Sequence, residues 1–232
     1  MTFGSHKRQS GGVANARANR RGCARLDRTI NQDEVQTGIH LKTIVEPAAK
    51  PPAEYREWDP RCPDVVRGLV AALRPPEFIA IEHVGSTAVP GCGGKGVIDL
   101  LALYRDGCLG AAKEFLSAAG FACQGPEFAR RWPQERPMYL GVFRWNAKPF
   151  LVYVHVVHQA SDEVRRFRMF RERLRGDPLL VEEYGRLKRG IIAGGVTDTD
   201  DYAVAKRAFM HRVLGADHAL VPGRRADTDG AR

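Results

Sequence analysis

The segment IEHVGSTAVPGCGGKGVIDLL (residues 81–101) holds the side chains best suited to chemistry. Gly85-Ser86 closes an alternating, β-rich run at 78–86, and such a turn exposes backbone N–H groups and a hydroxyl. Gly85 has no Cβ, so a phosphate oxygen can approach the backbone there. Asp99 interrupts VIDLLALY (97–104), a strand pattern otherwise apolar. A carboxylate in that setting is costly unless it lies at the open end of the strand, is paired, or binds a metal. Lys95, in the loop between the two strands, is placed to meet an anion.

A Gly-Ser turn followed by a strand-borne Asp is the pattern with which nucleotidyltransferases hold a triphosphate and its Mg²⁺. The bare pattern is common, and structural uses compete for the same residues. Asp99 can accept hydrogen bonds from the turn at Gly85–Thr87. His155 and His158 fit half-buried strand positions, and Lys95 fits a solvated loop. GCGGKG (91–96) lacks Walker A spacing, and no G-x-S-x-G elbow is present.

The elements that must position these residues follow from periodicity. Val65, Val66, Leu69 and Leu73 predict a helix over 60–73, stopped by Pro75-Pro76. A strand is expected at 78–86 and a second at 97–104, the latter central because it is apolar on both faces. A helix over 109–119 is capped by Gly120. Residues 125–137 read as an exposed loop, and 138–145 and 149–159 as a strand pair turning near Asn146 and Ala147. Three helices follow at about 162–175, 178–192 and 200–214. Helix, strand, strand, helix, strands and helices in that order predict an α/β (α+β) fold, a mixed sheet covered by helices with a helical C-terminal part.

At 232 residues, 44% hydrophobic and 27% charged, the chain suits one domain. We expect it over 51–216, preceded by a disordered basic arm and linker (1–50) and followed by a flexible tail (217–232). The formal charge is +9, and residues 1–50 carry nine basic side chains against four acidic ones. Such an arm can contact nucleic acid. No apolar run approaches the roughly 20 residues of a membrane span and no secretory signal is evident, so a cytoplasmic protein without membrane contact is expected. The five cysteines show no C-x-x-C spacing and read as free thiols.

The full segment resembles the GrpB-like family, of the nucleotidyltransferase-like superfamily, in His83, Gly85, Ser86, Thr87, Val89, Pro90, Gly91, Lys95 and the Ile98-Asp99 pair. WDPRCP (58–63), MFRERLR (169–175), Leu187-Lys188 and the Tyr202, Lys206, Phe209 spacing extend the resemblance over about 55–214. It implies a nucleotidyltransferase-like fold and a transferase that uses ATP or another nucleoside triphosphate, with a divalent metal (Mg or Mn), to modify or activate a small molecule. Asp99, His155 and Lys95 would be catalytic. Gly85, Ser86, Thr87, Lys95, Arg131 and Arg171 would bind phosphate, and Asp99 and His155 would bind metal, helped by Glu82 or His83. The alternative is a non-catalytic nucleotide- or RNA-binding module with a degenerate metal site. The chain departs from the usual Asp-x-Asp/Glu strand pattern in Asp99-Leu100-Leu101, and Gly96 follows Lys95 where proline is usual. Neither the acceptor, the nucleotide base nor the oligomeric state is specified.

Overall fold

A computed structural model describes residues 44–124 and 136–215. These all lie in the second of two compact units, His40–Arg232. The basic arm as far as residue 43, the tail and most of the expected 125–137 loop, including Arg131, fall outside the described residues.

Among these residues the elements run β1 (Glu46–Pro47), α1 (Cys62–Leu73), β2 (Ile79–Val84), β3 (Ile98–Tyr104), α2 (Leu109–Ala118), β4 (Ala122–Cys123), β5 (Met138–Trp145), β6 (Lys148–His158), α3 (Asp162–Gly176), α4 (Pro178–Ala193), α5 (Thr199–Ala205) and α6 (Arg207–Leu214). The strands form one mixed sheet in the order β1-β5-β6-β3-β2, with β4 also on β5. Only β3 and β6 run parallel; β2 and β3 form the expected hairpin, and β5 and β6 form another. Asn146 and Ala147 both have positive φ, the two-residue turn that matches strand twist.

The period of two in β3 explains the layers. Ile98, Leu100 and Ala102 join Val152, Val154 and Val156 of β6 on the face covered by α1 and α2. Leu101 and Leu103 face the other way, against Val157 and Val164 of α3. Asp99 shares that second face, and its register partner is Tyr153. A separate aromatic cluster ties α3, α4 and α6 together: Tyr184 stacks on Phe209 at 4.5 Å, and Phe170 meets Tyr184 edge-on at 5.6 Å. Side-chain oxygens of Ser161, Asp177 and Asp198 cap α3, α4 and α5.

Two differences from the sequence expectation matter. The sheet reaches back to Glu46–Pro47, inside the stretch assigned to the arm and linker, because Val45 is buried to 1% exposure beneath it. The expected helix over 200–214 breaks at Lys206 into two. Among the described residues Cys62, Cys92 and Cys123 are free thiols.

Candidate functional site

The β2–β3 connection builds a small cleft at the end of the hairpin. Gly85 takes φ 71 and ψ −169, a region open essentially to glycine, and the chain then turns through a short 3₁₀ helix at Ser86–Ala88. Thr87 is buried and its Oγ1 donates to the Val97 carbonyl at 3.3 Å, which ties the start of the loop to its end. The His83 imidazole meets the same hydroxyl at 3.0 Å, and Trp58 Nε1 donates to the Thr87 carbonyl at 3.1 Å. Burial, reinforced by Arg175 and Arg171 against the opposing pull of Asp99, brings the His83 pKa down to about 4, so this imidazole is neutral.

Ser86, Thr87, Lys95 and Asp99 line the cleft together. The Asp99 side chain is 26% exposed, facing outward at the end of β3 rather than sealed in a layer. Its Oδ2 packs so closely on Gly85 that a Cβ there would fall on it.

The family resemblance included Lys188 and Lys206 without assigning either to the site. Lys188 of α4 is 1% exposed, and its ammonium donates to the Ser86 hydroxyl at 3.2 Å, to Cys92 Sγ at 3.3 Å and to the Gly93 carbonyl. It also lies 4.1 Å from the centre of the Tyr184 ring. Lys206 lines the cleft with Tyr202, its Nζ 4.3 Å from that ring's centre. Lys95 Nζ lies 5.1 Å from the Tyr153 ring and 6.0 Å from the Tyr202 ring. Burial lowers the pKa of all three lysines; Asp99 opposes this most at Lys95, whereas Lys95 and Lys188 add to it at Lys206. Among the described residues the buried hydroxyls of Tyr153 and Tyr202 have no hydrogen-bond partner. A signal was available: Lys188 follows Tyr184, and Lys206 follows Tyr202, by one helical turn on the inward face.

The other expected site residues are dispersed. Arg171 donates to the His83 carbonyl at 2.7 Å, and Arg175 to the Ala88 carbonyl at 2.7 and 3.0 Å. Arg168 pairs with Glu82. These arginines brace β2 and the turn from behind instead of lining the cleft or forming a plain solvent face. His155 Nε2 stands 3.4 Å from Asp99 Oδ1, while Arg136 approaches Nδ1 at 3.3 Å and is held by Glu163.

That last arrangement bears on the metal. A guanidinium has only donors, so Nδ1 of His155 accepts and Nε2 carries the proton, aimed at Asp99. Neither ring nitrogen is then free to ligate. Glu82 and His83 are engaged elsewhere, and Leu101, fully buried, stands where a second carboxylate would be. Among the described residues no group of three or more His, Cys, Asp or Glu can hold a metal. The donor set therefore does not fit a resident divalent ion, which departs from the expectation for Asp99 and His155. What the cleft offers is N–H, O–H and ammonium donors, the chemistry of an anion site.

A mixed sheet with helices on both faces and a Gly-Ser turn after its edge strand β2 defines an α/β protein. The profile of the GrpB protein family matches residues 44–216, and the chain belongs to that family. It is similar to the UPF0157 protein YqkA of Bacillus subtilis, with 27% identity covering 67% of this chain and 43% of that one. A UPF0157 protein of Pseudomonas aeruginosa is 33% identical, with 59% of this chain and 54% of the relative covered. The chain thus spans about half the length of these relatives. The crystal structure of the conserved protein GrpB from Enterococcus faecalis superposes with a TM-score of 0.57 at 22% identity, covering 71% of this chain and 97% of that one. No helix among the described residues is long and apolar enough to cross a membrane.

Proposed function

We propose that the cleft binds the phosphate chain of a nucleoside triphosphate such as ATP without a resident metal, and that the protein is a nucleotidyltransferase-type transferase acting on a small acceptor. One observation carries this reading: Lys95 and Lys188 converge with the Ser86 hydroxyl on a glycine turn, in a cleft whose Tyr202 hydroxyl lacks a partner among the described residues. Lys95 and Lys188 supply the positive charge that metal ions supply in two-metal enzymes. Asp99 opposes the burial that lowers the pKa of Lys95, and the Arg136–His155 contact holds Asp99 in place.

The test is thermal stabilisation by ATP in EDTA and in Mg²⁺. Stabilisation of about 2.7 kcal/mol is expected at a hundred times Kd, with or without Mg²⁺. Lys95→Met should lose most of it, and Asp99→Asn should keep or increase it, since one negative charge beside the phosphates is gone. A response that requires Mg²⁺ and disappears in Asp99→Asn would return the site to metal chemistry, and no response in either buffer would remove the nucleotide.

The second reading, a nucleotide- or RNA-binding module without catalysis, is favoured by Leu101 in place of the second carboxylate. It predicts stabilisation by ATP with no release of pyrophosphate whatever acceptor is offered.

A further inference from the structure

Lys206 is the one lysine of the cleft that phosphate binding leaves without a task. It sits at the break between α5 and α6, a place where continuous helix was expected, and it reaches the cleft across the Tyr202 ring. The cleft wall it joins comes from three other parts of the chain, Glu57 and Asp59 ahead of α1, Cys92 and Lys95 in the loop and Asp99 on β3, and the charge of Lys188 on α4 also acts on it. Among the described residues Lys206 Nζ takes neither a hydrogen bond nor an ion pair, only the ring contact. Lys188 differs, because three acceptors occupy its three N–H groups and fix it as an ammonium. Lys95 differs too, because Asp99 favours its charged form.

We propose that Lys206, whose Nζ stands in the cleft over the Tyr202 ring, is the proton acceptor that takes the proton of an acceptor hydroxyl as that hydroxyl attacks the bound nucleotide. The inference rests on the nucleotidyl-transfer reading and deepens it. In the step, the acceptor O–H bond breaks and its proton moves to the Nζ lone pair. The acceptor oxygen bonds to the α-phosphorus, and the bond from that phosphorus to the bridging oxygen breaks. Its electron pair leaves on pyrophosphate. No oxidant or reductant is needed.

The surroundings suit the task. Burial first, then repulsion from Lys95 and Lys188, brings the pKa of Lys206 down to about 7, although Asp99 works in the opposite direction. A base titrating close to the working pH combines availability with driving force, which is where general-base catalysis is most efficient. The aromatic face of Tyr202 holds the amine in position and gives the protonated product a weak stabilising contact.

Competitive labelling of the full chain with a trace of acetic anhydride, between about pH 5 and 10, tests this. The readout is the pH midpoint of acetylation at each lysine, followed by peptide mass spectrometry, because a midpoint does not depend on how accessible the amine is. Lys206 should titrate near pH 7, well below an ordinary exposed lysine, and saturating ATP should slow its labelling several-fold. A Lys206 midpoint among those of the exposed lysines overturns the proposal. So does ATP protection of Lys95 that leaves Lys206 unchanged, in which case the phosphate cleft stands and its proton acceptor is elsewhere. Protection of neither lysine overturns the nucleotide reading itself.

Discussion

At the scale of single residues, Gly85 and Asp99 form one unit. The backbone at Gly85 has φ 71, and the place a Cβ would occupy is filled by the Asp99 carboxylate. Gly85→Ala should therefore cost about 1–3 kcal/mol from backbone strain alone, and it should displace Asp99 as well. Urea titration would show the loss of stability, and the ATP response of Lys95 should fall with it. An alanine variant with an unchanged midpoint would mean that the turn relaxes freely. Gly85, Ser86, Lys95 and Asp99 were legible because glycine before serine and an acid within an apolar strand are both anomalies of type. Lys188 and Lys206 belong to the family resemblance, but their place beside Ser86 and in the cleft was not legible, since a lysine on a helix reads as solvated until the helix is packed. Only packing shows that Lys188 is 1% exposed.

At the scale of elements, the stretch around Glu46–Pro47 shows how far local composition can mislead. EPAAKPPAEY (46–55) reads as a linker, yet Glu46 and Pro47 pair with Val142 and Gly141 of β5. The contact is possible because Gly141 leaves room for Val45, whose Cγ1 occupies the place of the missing Cβ. Val45→Ala should destabilise the protein by about 1–3 kcal/mol, as expected for a truncated buried side chain. Equal urea midpoints for the two proteins would show that this strand is dispensable. The arginines of α3 teach a related lesson. Their spacing marks an outer face, but Arg168, Arg171 and Arg175 reach past it to Glu82 and to the carbonyls of His83 and Ala88. Long side chains of this kind are assigned by what lies opposite, which periodicity does not contain.

For the molecule as a whole, the neutral His83 links stability to pH. Its pKa is about 4 when folded against a reference near 6.5, so between those values the unfolded chain binds more protons than the folded one. Stability is then fully present above the unfolded pKa and falls as pH drops toward the folded one, by at most about 3 kcal/mol. Urea midpoints measured from neutral pH downward should decline less steeply in His83→Gln, which keeps a hydrogen-bonding partner for Thr87 and does not titrate. Identical slopes would show that His83 is already neutral in the unfolded ensemble or charged in the fold. The layers were legible from the order of elements and from the apolar β3, which proves central. The position of the aromatic cluster of α3, α4 and α6 beside the cleft was not, because it depends on how three amphipathic helices share their inner faces.

The chain by itself determined which residues could turn sharply, which strand would be buried on both faces and which family pattern surrounds Asp99, since these are properties of neighbours a few positions apart. Tertiary structure decided the character of the site. It placed Lys188 on the Ser86 hydroxyl and Lys206 in the same cleft as a carboxylate whose own imidazole neighbour has its lone pair occupied by Arg136. Whether a carboxylate faces a metal or a set of ammonium groups depends on long-range packing and desolvation, and those are settled only when the helices close over the sheet.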